Sequence, residues 1–193
     1  MTDGLNKDLL LKVYNFIAIH PEKHNQESWG DFYVDREHEI DELPIEVSTS
    51  PIYDRVALIG IKDPKVDCGT AACFAGWTCL MNGDKMQMPF SVGALLAGDV
   101  PSEVSVFHVE DKNGNEHSIS NRAFDLLGLG PHDAYLFEAS NSRKFLRAAV
   151  LSLLNDGYIS DNIVYDNESG DYVDDEDGDI EPIVYDPETH IYA

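Results

Sequence analysis

Apolar side chains fall at Leu5, Leu9, Val13, Phe16 and Ile17, with Leu10 and Tyr14 beside them, a spacing that predicts a helix over 5–19. Pro21 ends it, because a proline ring cannot continue the helical ladder. From there to Asp67 the chain is rich in Pro, Asp, Glu and Ser and reads as loop and edge strand, with short strands in the β-branched runs 45–47 and 56–61. The stretch 70–82 is apolar nearly all round, the pattern of a helix buried on most faces, and Gly83 is placed to stop it. Strands over 102–110 and 116–119 flank Asp111-Lys112-Asn113-Gly114-Asn115, where Asn-Gly supplies the left-handed turn of a hairpin. Three helices are predicted to follow. Ser120 caps the first, Pro131 sits in the first turn of the second, and Ser142 caps the third, which runs to Leu154 before Gly157.

The pattern changes beyond that point. No Lys or Arg follows Arg147, and from Asp156 onward 13 residues are Asp or Glu. A charge run of this kind is ordinarily a solvated tail. This one holds a repeat, because Ile163-Val164-Tyr165-Asp166-Asn167-Glu168-Ser169-Gly170-Asp171-Tyr172 recurs twenty residues later as Ile183-Val184-Tyr185-Asp186-Pro187-Glu188-Thr189-His190-Ile191-Tyr192. Each copy joins a β-branched and aromatic run to a turn and a further Tyr, which is a hairpin signature. The expected architecture is an α+β core domain over 1–156, with a buried small-residue helix and a helical C-terminal part, plus an acidic β-hairpin appendage over 157–193.

Charge narrows the function classes. Thirteen Lys and Arg against 36 Asp and Glu give a formal net charge of −23 in 193 residues. Such a surface repels phosphate backbones and anionic membranes, so direct binding to nucleic acid or membrane is not expected, and the natural partners are basic protein surfaces or cations. No run approaches the ~18 apolar residues of a membrane span, and Met1-Thr2-Asp3-Gly4 lacks the basic and apolar regions of a signal peptide; a cytoplasmic protein is expected. The three cysteines all fall in Asp67-Cys68-Gly69-Thr70-Ala71-Ala72-Cys73-Phe74-Ala75-Gly76-Trp77-Thr78-Cys79, a spacing that suits free thiols better than a disulfide framework.

That run supports three readings. As a catalytic element, Asp-Cys-Gly before a small-residue helix resembles the entry to the active-site helix of papain-like and bacteriocin-processing cysteine peptidases. A thiol at a helix N-terminus gains thiolate character, and His108, on a downstream strand candidate, would be the base for Cys68. As a core element, Ala71, Ala72, Ala75 and Gly76 admit a close neighbour, Cys73 and Cys79 act as small hydrophobes, and Gly69 and Thr70 form the entry turn and cap. As half of a metal site, Cys68 and Cys73 would supply thiolates and His20 and His24 imidazoles, although structural zinc favours tighter Cys pairs. The bland role for the two histidines is at the C-terminal end of a helix, which favours cations. In the acidic cluster 174–179, aligning Gly178 with the sixth position of an EF-hand loop puts Val173 and Val184 at the first and twelfth ligand positions, so that loop fails. No phosphate loop, nucleophile elbow or His-Glu-x-x-His helix occurs, and no cofactor or metal is expected.

Three segments carry a family resemblance: Ile19-His20-Pro21-Glu22-Lys23-His24-Asn25-Gln26-Glu27-Ser28-Trp29, Cys68-Gly69-Thr70-Ala71-Ala72-Cys73-Phe74-Ala75-Gly76-Trp77, and Ala123-Phe124-Asp125-Leu126-Leu127-Gly128-Leu129 with Leu136-Phe137. On these the chain resembles a group of small uncharacterised proteins from actinobacteria and their phages. The resemblance spans about residues 10 to 140, leaves the acidic tail outside, and implies a phage or actinobacterial accessory protein. The expected function is therefore non-enzymatic: an acidic accessory protein that engages a host or viral protein, with dense carboxylates able to imitate the phosphates of a duplex. The competing classes are a cysteine hydrolase using Cys68 and His108, and a virion component suggested by the repeated hairpins.

Overall fold

The computed structural model describes residues 4–33, 45–50, 56–62, 70–101, 103–169 and 180–193. Helix α1 (Lys7–Ile19) opens where the Asn6 side chain accepts from the Leu9 amide at 3.1 Å, and closes at His20 ahead of Pro21. It buries Leu9, Leu10, Val13, Tyr14, Phe16 and Ile17, the stripe marked by the apolar spacing. Strands β1 (Asp31–Tyr33), β2 (Ile45–Thr49), β3 (Val56–Ile61) and β4 (Thr70–Ala71) precede helix α2 (Phe74–Met81). Then come β5 (Lys85–Ser91), α3 (Val92–Leu96), β6 (Glu103–Ser105), β7 (His108–Glu110), β8 (Glu116–Ser118) and α4 (Ile119–Leu127). A 3₁₀ segment (Pro131–Phe137), α5 (Arg143–Asp156), α6 (Asp161–Ser169), β9 (Tyr185–Asp186) and β10 (Ile191–Tyr192) complete the order.

The fold is α+β, with an antiparallel five-stranded sheet in the order β2-β3-β5-β7-β8, a three-stranded sheet in the order β4-β1-β6, and the β9/β10 hairpin. At the centre lies α2, buried at every position from Phe74 to Leu80 and packed against α1, α4, β5 and the 3₁₀ segment. Its small residues serve the close approach read from the sequence. A Cβ on Gly76 would lie 1.9 Å from the Trp29 carbonyl oxygen and 2.7 Å from the Ala72 Cβ. Trp77 is fully buried, packs its ring 4.5 Å from that of Phe16, and donates its indole N–H to the Lys23 carbonyl at 2.9 Å.

Three local expectations are corrected. The helix begins after Cys73 and not at Thr70, because Thr70 and Ala71 pair with Phe32 and Asp31 as β4 and Ala72 bridges to His24. The stretch 102–110 does not form one strand: β6 pairs with β1 and β7 with β5 and β8, so the chain changes sheets between Ser105 and His108. Ser118, not Ser120, is the N-cap of α4, and its side chain makes no capping bond. The β7/β8 hairpin forms as read, with Gly114 at φ +85°. Pro131 opens the 3₁₀ segment, the Ser142 hydroxyl accepts from the Phe145 amide at 3.1 Å, and Gly157 at φ +84° ends α5.

The acidic repeat adopts two different structures. The second copy is the β9/β10 hairpin, with the Asp186 carboxylate accepting from the Glu188 amide and the Thr189 hydroxyl, each at 2.8 Å. The first copy is a correction over its described part: residues 163–169 fall in helix α6, opened by bonds from the Ile163 and Val164 amides to the Ser160 carbonyl, and the rest of the copy lies outside the described residues. Pro187 accounts for the divergence, since it would break a helix where Asn167 continues one. The candidate EF-hand cluster 174–179 lies outside the described residues.

Residues 180–193 are tied to the helices. Asn15 pairs with Ile183 through both backbone groups, at 2.9 and 2.7 Å, and Asn155 does the same with Tyr192, at 3.1 and 2.9 Å. Each asparagine thus gives an extended strand the donor and acceptor of a neighbouring strand. The Tyr14 hydroxyl donates to the Glu181 carbonyl at 3.1 Å, and burial pushes its pKa up to about 12 against the opposing effect of Arg147. Ile180 and Ile183 join the core.

The contact at Gly76 yields the first prediction. Gly76→Ala forces the Trp29 carbonyl away from α2 and is expected to destabilise the protein by about 3 kcal/mol, the upper range for overpacking. A shift of the urea midpoint to lower concentration checks this, with Gly93→Ala, whose Cβ has room, as the tolerated control.

Candidate functional site

The three segments singled out by the resemblance meet around the N-terminus of α2. The Cys73 amide donates to the Ser28 carbonyl at 2.8 Å and the Phe74 amide to the Gln26 side-chain oxygen at 3.2 Å. The other end of Gln26, its Nε2, donates to the carbonyls of Glu138 at 3.1 Å and Leu136 at 3.4 Å. Gln26 therefore satisfies a free helix amide and two loop carbonyls from one buried side chain. His24 Nε2 lies 2.9 Å from the same Gln26 oxygen; since that oxygen accepts, the histidine nitrogen is the donor, which fixes its tautomer.

These bonds decide how the thiols and imidazoles are disposed. Cys73, the N-cap residue of α2, is 1% exposed, and burial pushes its thiol up to about 11. Cys79 is fully buried, and burial, with the Asp84 carboxylate adding to it, pushes its thiol well above the ordinary range. Both are free thiols with the character of core residues. Cys68 lies outside the described residues. The helix N-terminus that would activate a thiol is occupied by Cys73, five residues further on. His20 is the C-cap of α1, stacked 4.9 Å from the Phe16 ring, with Nδ1 3.5 Å from Glu22. The His24 and Cys73 segments do meet, through the His24 to Ala72 bridge, but the His24 nitrogen bonded to Gln26 carries a proton instead of a free lone pair. Among the described residues no group of three metal-ligating side chains forms.

His108 stands on β7 as the sequence places it, half exposed, with Nε2 3.9 Å from the Glu116 carboxylate. It lines a cleft of about 290 Å³ with Gln87, Ser105, Phe107 and Glu116. Ser118 is its cross-strand partner. The Nε2 of Gln87 and the Oγ of Ser118 are buried without a hydrogen-bond partner among the described residues. Neither Cys73 nor Cys79 lines this cleft, so no described thiol stands beside His108.

At the next residues of the sheet, Asp111 organises the hairpin turn. Its carboxylate accepts from the amides of Asn113 at 2.8 Å and Asn115 at 2.9 Å, from the Asn115 side chain, and from His117 Nε2 at 3.3 Å. Burial opposes ionisation, but the bonds from Asn115, Asn113 and His117 outweigh it and hold the Asp111 carboxyl well below the usual carboxylate range.

A second cleft, of about 390 Å³, opens where the loop 26–29 faces α4 and the 3₁₀ segment. Trp29, Phe124 and Phe137 form its apolar walls, and Glu27 and Glu138 are exposed at it. Sequence reasoning missed this site, because its residues come from three distant segments and none carries a recognised motif.

Two outcomes test these assignments. In native protein, iodoacetamide labelling of Cys73 and Cys79 is expected to be negligible at neutral pH and to become rapid in denaturant, read for each cysteine by peptide mass spectrometry. Asp111 has its pKa lowered on folding, so its contribution is present above the unfolded carboxylate value near ~4 and is lost as pH falls through the folded value. Asp111→Ala is therefore expected to lower stability by about 2 kcal/mol at pH 7, with the gap from the parent protein narrowing below pH ~4 in denaturant titrations.

No protein-family model, no curated protein and no solved structure matches the chain, so a functional reading rests on charge and geometry.

Proposed function

We propose that the protein is a non-enzymatic, acidic interaction protein that binds a basic surface of another protein. The observation that carries this reading is the excess of exposed carboxylates over cations, several of which are taken up by bonds within the fold. Lys23 is buried, Lys7 and Lys12 donate to the backbone carbonyls of Leu154 and Met81, and Arg122 is held by Asp84 in a two-bond ion pair at 2.7 and 3.2 Å. Among the described residues, carboxylates face solvent on many elements, including Asp8, Glu22, Asp99, Asp125, Glu138, Asp161 and Glu181. With a net charge of −23, the surface presents a dense field to any basic partner.

The resemblance to actinobacterial and phage proteins makes a phage-encoded accessory protein acting in the host cytoplasm the setting of this proposal. No helix among the described residues is long and apolar enough to cross a membrane. A partner whose basic groove ordinarily holds nucleic acid is a special case, in which the carboxylates stand in for phosphates.

Capture of partners from a host extract at low salt, followed by titration of the purified pair, tests the reading. The expected outcome is a basic partner whose affinity falls at least tenfold between 50 and 500 mM NaCl, with duplex DNA competing in the special case. An affinity unchanged across that range overturns it.

A further inference from the structure

The cleft beside Trp29 combines features that a diffuse acidic surface lacks. Its floor includes Phe137, 8% exposed, and its walls include the half-buried rings of Trp29 and Phe124. Glu27 and Glu138, both exposed, line the cleft together with these rings, and none of the described lining residues is Lys, Arg or His. Gln26 is already committed at both ends of its amide, so the side-chain charge available to a ligand is purely negative. A volume of about 390 Å³ admits one long side chain together with the backbone that carries it.

A site with aromatic faces and carboxylates favours a cation that is flat, weakly hydrated and able to bond in two directions at once. Guanidinium has all three properties: it stacks on aromatic rings and takes carboxylates in a forked geometry, whereas ammonium is a compact and strongly hydrated point charge. We propose that this cleft is the docking point for an arginine side chain on a basic segment of the partner protein. The proposal rests on the acidic-interaction reading above and gives it a specific anchor, of the aromatic-walled kind that concentrates binding energy in an interface. The remaining carboxylates then steer approach, while the cleft selects.

The probe is a capped octapeptide of alternating Arg and Gly, titrated into ¹⁵N-labelled protein at 50 mM NaCl. The indole N–H signals of Trp29 and Trp77 report separately on the cleft and on the core. The expected result is a saturable shift of the Trp29 indole and of the backbone amides of Phe124 and Glu138, with Trp77 unmoved. The Lys-Gly analogue should bind at least fivefold more weakly, and the double variant Glu27→Gln, Glu138→Gln at least tenfold more weakly. Ala134 is exposed at the same cleft, so Ala134→Arg supplies a tethered guanidinium and should abolish the peptide-induced shift, even if the double variant fails to fold. Salt-sensitive binding that leaves Trp29 unmoved, or that survives Ala134→Arg, overturns the cleft and leaves the acidic-interaction reading standing. Equal binding of the Lys peptide overturns the guanidinium assignment. Absence of binding by either peptide overturns the cleft, and the reading beneath it is then judged by its own salt titration.

Discussion

The missing side chain at Gly76 is the constraint on which the rest of the structure depends. It lets the Trp29 carbonyl sit against the body of α2, where any Cβ would collide. Once that loop is seated, Trp77 can reach the Lys23 carbonyl, Gln26 can cap the first amides of α2, and β4 can lie beside β1. The loop is irregular, yet these bonds meet its backbone demands as completely as a helix or strand would. One close packing contact therefore stands behind the placement of this loop and the three-stranded sheet against the central helix.

Carboxylates have two roles that differ in where their charge goes. Inside, each acts as a connector with named donors. Asp31, on β1, accepts from Ser28 and Asn25 of the loop and from Ser105 of β6, and so joins the loop to the neighbouring strand; Asp133 accepts from the Gly130 and Ile159 amides; Glu110 accepts from Ser50. Asp84 takes the full fork of Arg122. Outside, carboxylates far outnumber the cations, and their mutual repulsion costs stability while favouring solubility. The two clefts sit between these regimes. Each combines apolar walls with a few polar groups, but the one at His108 is lined by Gln87, whose side-chain nitrogen has no partner among the described residues, and the one at Trp29 contains excess negative charge.

Local pattern made much of this fold legible. The stripe on α1, the all-round apolarity of α2, the Asn-Gly hairpin and the Ser142 and Gly157 ends of α5 are short-range signals written in neighbouring residues. What lay beyond reach was long-range pairing. Thr70 and Ala71 look like the start of a helix, and strand partners at Phe32 and Asp31, far back in the chain, draw them into a sheet instead. The stretch through Ser105 and His108 has uniform strand character, and the switch of sheets within it depends on Gly30 accepting from Val106. The twin acidic decapeptides diverge over one proline. Of the candidate site residues, His108 lies on its strand, Cys73 and Cys79 take the packed alternative that the small neighbours implied, and the aromatic cleft had no local signature at all.

The paired asparagines on α1 and α5 have a consequence for synthesis. Asn15 waits for Ile183, a partner 168 positions later, and Tyr14 waits for Glu181. A nascent chain on the ribosome can build α1 early, but these polar groups stay open until residues as far on as Ile183 have emerged, so this closure is a late event that local helix formation cannot hasten. During that interval the apolar seat for Ile183 is available to any passing chaperone or to a neighbouring nascent copy, and the acidic stretch that precedes it arrives as an electrostatic guard against such encounters.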